Sequence, residues 1–66
     1  MAARKPTPRE RRIALTVGLT LHPARYGHWV AKSPSGIVYV IDGTDHTWED
    51  FRRFVAEVQG TGFRFE

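Results

Sequence analysis

His28-Trp29-Val30-Ala31-Lys32 and Ile37-Val38-Tyr39-Val40-Ile41 flank the turn sequence Ser33-Pro34-Ser35-Gly36, and this stretch decides the fold. Both flanking runs are rich in β-branched and aromatic residues, which favour strands, and the segment between them contains Pro and Gly. The stretch therefore predicts an antiparallel hairpin. If Ser33 pairs with Gly36, Lys32 lies opposite Ile37 and each later pair follows in regular order.

The regular register assigns the hairpin residues to two faces, because opposed residues share a face. The face that we assign to the core carries Trp29, Ala31, Val38 and Val40. The opposite face, which mixes apolar bodies with polar tips, carries His28, Val30, Lys32, Ile37, Tyr39 and Ile41.

Residues 13–21, upstream of the hairpin, alternate large apolar side chains with small ones through Ile13, Leu15, Val17, Leu19 and Leu21. This alternation predicts a first strand from about Arg12 to Leu21. A competing signal precedes it, because Thr7-Pro8-Arg9-Glu10 is a capping box with Pro at the first helical position. We give the longer alternating pattern more weight and predict a strand.

A helix is predicted downstream of the hairpin, from Trp48 to about Gln59, with Thr47 as its N-cap and Gly60 as its end. Its apolar stripe consists of Trp48, Phe51, Phe54, Val55 and Val58. The closing Phe63-Arg64-Phe65 alternates again and allows a short final strand.

These elements predict an α+β fold in which a three-stranded antiparallel sheet packs on one C-terminal helix, in the order β-β-β-α with a possible final strand. Residues 1–11 are predicted to form a flexible basic arm, because they hold two prolines, many charges and few apolar groups. Residues 12–66 are predicted to form a single domain.

Positive charge is concentrated at the start of the chain. The first twelve residues hold five of the ten Lys and Arg against one acid, Glu10, whereas the remainder holds five bases and six acids. A basic arm suits a polyanion, since each cation near a phosphate releases a counterion. A solvated leader with no partner is the alternative explanation.

Composition argues against several other classes of protein. The chain has no cysteine, so disulfides, thiol nucleophiles and cysteine-bound zinc are excluded. Asp42, Asp45 and His46 lie close together, but ordinary turn chemistry explains them better than a metal or an acid–base pair. We expect no enzyme, cofactor, metal or small-molecule substrate. No apolar run is long enough to cross a bilayer or to form a signal peptide, so we expect a soluble cytoplasmic protein without membrane partners.

Two functions fit these observations. The first is a nucleic-acid-binding accessory or regulatory protein that uses the arm and the open sheet face. Its contact residues would be Arg4, Lys5, Arg9, Arg11, Arg12, His28, Lys32 and Tyr39. The second is a protein-binding adaptor or inhibitor, of the kind phages or mobile elements encode, which could also form a homodimer. Its contact residues would be Val30, Ile37, Tyr39 and Ile41.

Three local sequences carry a family resemblance, namely Gly27-His28-Trp29-Val30-Ala31, Gly43-Thr44 and Thr47-Trp48-Glu49-Asp50. With the basic leader, they give a layout that resembles the DNA-binding domains of plant ethylene-response factors and the arm-binding domains of tyrosine integrases. In those families the sheet enters the major groove, and Arg and Trp side chains of the strands contact bases and phosphates. The resemblance implies the same role for strand residues here.

Overall fold

The computed structural model describes residues 3–66, which form a helix, a three-stranded sheet and a second helix in that order. The elements are α1 (Pro8–Thr16), β1 (Thr20–Pro23), β2 (Trp29–Ser33), β3 (Gly36–Ile41) and α2 (Asp45–Thr61), with a 3-10 turn at Arg25–Gly27. The sheet is antiparallel with strand order β1-β2-β3. The predicted α+β class, three-stranded sheet and C-terminal helix are confirmed.

The predicted first strand is wrong over most of its length, because α1 occupies residues 8–16 and β1 begins only at Thr20. The capping box decides the outcome. The Thr7 hydroxyl accepts from the Glu10 N–H at 3.1 Å, and the Glu10 carboxylate accepts from the Thr7 N–H at 2.9 Å. Ile13 and Val17 satisfy both a helical and an alternating pattern, so the alternation did not exclude a helix.

The predicted flexible arm is ordered from Ala3 onwards, while residues 1 and 2 lie outside the described residues. The Arg4 N–H donates to the Gly43 carbonyl at 2.8 Å, and the Trp48 indole N–H donates to the Arg4 carbonyl at 3.2 Å. Pro6 is buried. The segment before α1 is therefore attached to the loop and first turn at the start of α2.

The hairpin is confirmed at its turn but shifts by one residue beyond it. Ser33 pairs with Gly36 and Lys32 with Ile37, as predicted. Val38 is then an extra residue, so Ala31 opposes Tyr39 instead of Val38. A bulge of this kind exchanges the two faces of the strand beyond it. Tyr39 consequently turns toward the core, and Val40 turns away from it.

Both helices pack on the same face of the sheet and form one hydrophobic core. Its buried residues are Ala14, Val17, Leu19, Leu21, Trp29, Ala31, Ile41, Trp48, Phe51 and Val55. Trp48 is central, because its ring lies 6.4 Å from that of Trp29 and 6.1 Å from that of Phe51. The opposite face of the sheet has no helix over it and carries Thr20, His22, Val30, Lys32, Ile37 and Val40.

Helix α2 is longer than predicted at both ends. Its N-cap is Thr44, whose hydroxyl accepts from the Thr47 N–H at 3.3 Å, so the cap lies three residues earlier than expected. Its C-cap is Gly62, in the left-handed conformation, and Gly60 lies within the helix. The closing segment forms no strand within the described residues, although the Phe65 N–H donates to the Val17 carbonyl at 2.8 Å.

Within residues 3–66, no helix combines the length and the apolar composition needed to cross a membrane.

Candidate nucleic-acid interface

Glu10 is the only acidic residue of α1, and it points into the protein, with 2 % of its surface exposed. Arg4 binds both oxygens of its carboxylate, at 2.8 and 3.0 Å, and Arg52 of α2 binds one of them at 2.5 Å. The Thr7 N–H is the fourth donor. Glu10 therefore connects the N-terminal segment, α1 and α2, and its negative charge is compensated by Arg4 and Arg52 inside the protein.

The charged side chains exposed on α1 are consequently all cations, and they share the helix surface with Leu15, which is 54 % exposed. Arg9 and Arg12 lie one turn apart on this surface, and Arg11 lies to one side of them. All three are exposed, and among the described residues none of them forms an ion pair. We call the group the basic surface and include two further exposed cations without an ion-pair partner in residues 3–66, Lys5 and Arg25.

A cleft of about 260 Å³ joins the α1 side of the basic surface to the turn between β1 and β2. Lys5 forms one wall, and Ala24 and Gly27 belong to the other. Trp29 lies at this cleft, and the Arg11 guanidinium lies 5.5 Å from the centre of its ring. This cation–π contact fixes Arg11 against the protein, whereas Lys5 keeps its ammonium in solvent.

A second cleft, of about 340 Å³, lies between α1 and α2. Its lining residues are Arg4, Thr7, Arg9, Glu10 and Arg52. Since Arg4 and Arg52 neutralise Glu10, and Arg4 also binds Asp45, Arg9 supplies the free positive charge of this cleft. The hydrogen bonds to Glu10 and Asp45 raise the pKa of Arg4 above its already high value.

The exposed side of α2 has the opposite character. Arg53 binds Glu49 at 2.9 Å and lies 3.9 Å from Asp50, so its positive charge is compensated on this helix surface. His46 also lies 3.6 Å from Asp50. The molecule is thus polarised, with unpaired cations on α1 and compensated charges on α2.

Three of the predicted nucleic-acid contacts have other positions or roles than expected. Arg4 is committed to Glu10 and Asp45, as described above. His28 is half-buried in the turn before β2, where its N–H donates to the Arg25 carbonyl at 3.0 Å. Tyr39 packs on the core side, 4.9 Å from the ring of Phe54 and 5.5 Å from that of Phe51. Only Lys32 lies on the open sheet face, so the predicted grouping on that face is wrong.

The four residues predicted to bind a protein do not share one face of the sheet. Val30 and Ile37 lie on the open face, and Ile37 is 60 % exposed. Tyr39 lies on the core side and Ile41 is completely buried, because the bulge turns both inward. Val40 takes their place at 64 % exposure, and regular pairing from the turn could not reveal it.

The resemblance to sheet-type DNA-binding domains does not extend to the helix order or to Trp29. A helix precedes the sheet, and Trp29 is only 8 % exposed beneath the Arg11 guanidinium. A sheet residue in this position lines the core and does not reach a groove of DNA.

The loop before α2 serves to cap the helix. The Thr47 hydroxyl donates to the Asp42 carboxylate at 2.6 Å, and the N–H and hydroxyl of Thr44 donate to the same oxygen. These hydrogen bonds, that from Thr47 first, lower the pKa of Asp42 to about 2. No three His, Asp or Glu side chains among residues 3–66 are grouped as metal ligands would be.

Comparison of the chain with protein-family models, with curated protein sequences and with solved structures finds no match in any of the three. The function is therefore argued from the geometry and charge of this chain alone.

Proposed function

We propose that this protein is a non-enzymatic nucleic-acid-binding protein whose basic surface contacts the phosphate backbone. One observation carries the proposal: the single acid of α1 is buried and paired, so every charged side chain exposed on that helix is a cation. Cations without an intramolecular partner keep their full affinity for phosphate.

The arrangement supports backbone contact more than direct base recognition. Lys and Arg on one exposed helix surface can follow phosphates, but the short α1 offers few other side chains that could identify a base edge. We therefore propose an accessory or regulatory protein with little sequence preference. We also propose that the protein acts in the cytoplasm, because a nucleic-acid partner would be available there.

The salt dependence of binding tests this proposal. The affinity of the full chain for a labelled random DNA duplex would be measured by fluorescence anisotropy between about 50 and 200 mM salt. With up to five cations in contact, we expect the logarithm of the binding constant to fall against the logarithm of salt concentration with a slope between about −2 and −4.5. Absence of binding to both the duplex and a single strand at about 50 mM salt would refute the proposal.

A second candidate function is self-association through β3. This strand lies at an edge of the sheet, contains no charged residue and exposes Ile37 and Val40 on the open face. Natural edge strands usually carry Lys, Pro or a bulge that prevents pairing, and β3 has only the bulge at Val38. Two copies of β3 could pair antiparallel about a two-fold axis without charge repulsion.

The oligomeric state tests this second candidate. We expect the mass measured by light scattering to rise toward that of a dimer with increasing concentration, and the substitution Val40→Lys to keep the protein monomeric. Thr20→Lys, on the same face but at the opposite edge, is the matched control and should still dimerise. A monomeric wild type at every concentration would exclude the candidate.

A further inference from the structure

Tyr26 has the most unusual backbone and one of the most exposed side chains of the described residues. Its φ of 59° and ψ of 34° lie in the left-handed region, and it is the only residue other than glycine among residues 3–66 with a positive φ. Its side chain is 87 % exposed. A bulky residue in this region is strained by about 1 kcal/mol or more, and here no packing of the ring offsets the cost.

The turn around Tyr26 is held firmly in place. The Ala24 N–H donates to the His28 carbonyl at 2.8 Å, and the His28 N–H closes the turn on the Arg25 carbonyl. Gly27, also left-handed, leaves no room for a side chain, since a Cβ there would lie 2.9 Å from the Cβ of Ala3. Glycine or asparagine would suit position 26 better, so a tyrosine there is best explained by a use for its ring.

The surroundings of Tyr26 indicate the partner of the ring. Arg25 precedes it, and the next residue, Gly27, lines the cleft whose other wall includes Lys5. Tyr26 therefore belongs to the turn that flanks this cleft opposite Lys5, and its ring is exposed there. Exposed aromatic rings among backbone-binding cations are the usual platform for unpaired bases in proteins that bind single strands without sequence preference.

We propose that the nucleic acid bound by this protein is single-stranded and that one unpaired base stacks on the ring of Tyr26. This inference rests on the function proposed above. The cations of the basic surface hold the backbone, and Tyr26 makes a base-dependent contact that a fully paired duplex cannot offer, since its bases are stacked on one another.

The test compares a DNA strand of about 16 nucleotides with an abasic strand of the same length, which keeps the phosphates but lacks the bases. Wild type should bind the strand with bases more tightly. Tyr26→Gly should lose about 5- to 150-fold of this affinity and bind both strands equally, whereas Tyr26→Phe should bind like wild type. Thermal unfolding supplies the control for folding, since Tyr26→Gly removes the left-handed strain and should not lower the melting temperature.

The outcomes separate this inference from the proposed function. If Tyr26→Gly and wild type bind the strand with bases equally well, or if wild type does not distinguish the two strands, the stacking inference is wrong and backbone binding stands. If wild type binds neither strand but binds the duplex with salt dependence, only the stacking inference is wrong, and if it binds none of the three, both are wrong.

Discussion

Replacing Glu10 by Ala is expected to remove most of the free energy of unfolding at room temperature. The substitution removes a buried carboxylate that binds Arg4 through both oxygens, Arg52 at 2.5 Å and the Thr7 N–H that caps α1. Breaking a buried pair costs about 3–5 kcal/mol, although Arg4 and Arg52 are partly exposed and can be rehydrated, so we expect the lower end. A domain of this size has about that much stability in total.

Circular dichroism during thermal and urea unfolding measures this effect. The matched control is Glu49→Ala, which removes the exposed ion pair with Arg53 and should change the free energy of unfolding by no more than about 1 kcal/mol. If Glu10→Ala unfolds at the same temperature as Glu49→Ala, the hydrogen bonds and ion pairs of Glu10 do not hold the two helices together as described.

The same carboxylate gives the fold a defined pH dependence. Burial alone would raise the pKa of Glu10, but the hydrogen bonds from Arg4, the Thr7 N–H and Arg52 outweigh it and lower the pKa to about 2 from an ordinary value of 4.5. The unfolded chain therefore takes up this proton first as the pH falls. The ionised Glu10 carboxylate contributes about 3 kcal/mol to the free energy of unfolding above pH 4.5, and this contribution is lost as the pH falls toward 2. In Glu10→Gln, the melting temperature should depend less on pH over this range. The dependence that remains should be smaller and should come from Asp42, whose lowered pKa acts in the same direction.

Replacing Lys5, Arg9 and Arg12 together by Gln should lower the affinity for a DNA duplex by about 100-fold or more at about 50 mM salt. Each side chain is exposed and forms no ion pair within residues 3–66, so its loss removes a phosphate contact and leaves no carboxylate unpaired. Arg11 is kept because it covers Trp29. The salt slope should become less negative by about 2.7, and the melting temperature should change little.

The matched control carries the same loss of charge elsewhere on the protein. Lys32, Arg53 and Arg64 are replaced by Gln, which leaves α1 unchanged. This variant should keep most of the wild-type affinity and salt slope, with only the small loss that a lower net charge causes. Equal losses in the two triple variants would mean that binding follows the total charge, and the basic surface would then have no special role.

The parts of the fold that the sequence predicts are those with strong local signals. The Pro34-Ser35 turn and its two strands follow from residue types alone, and so does the apolar stripe of α2. The bulge at Val38 leaves no such signal, because a run of five apolar residues tolerates either register. Because of this one extra residue, Val40 lies on the open face. Tyr39 and Ile41, two of the four residues predicted to bind a protein, lie on the core side.

The wrong prediction of a strand from about Arg12 to Leu21 has a different cause. Ile13 and Val17 fit a helix and a strand equally well, and the helix leaves Leu15 more than half exposed, a cost that hydrophobic alternation alone would avoid. The capping box and the long-range contacts of Glu10 with Arg52 outweigh that cost. No local pattern reveals that Arg4 pairs with Asp45, 41 residues along the chain, so the sequence places Arg4 among the candidate nucleic-acid contacts.

In the candidate site, too, the sequence predicts the part that has a local signal and misses the part that depends on the fold. The sequence located the cations of residues 5–12, because a charge excess is visible in composition. Arg25 and Tyr26 were missed, since the left-handed conformation of Tyr26 is not encoded by a turn motif.

We propose that α1 and the turn at Arg25–Gly27, and not the open sheet face, contact the nucleic acid. The decisive experiment is an amide-resolved NMR titration of the full chain with a DNA strand of about 16 nucleotides. We predict shifts at residues 5–12 and 25–27 that weaken as salt rises from about 50 to 200 mM. Shifts confined to Lys32, Ile37 and Val40, or no shifts at all, would contradict the account.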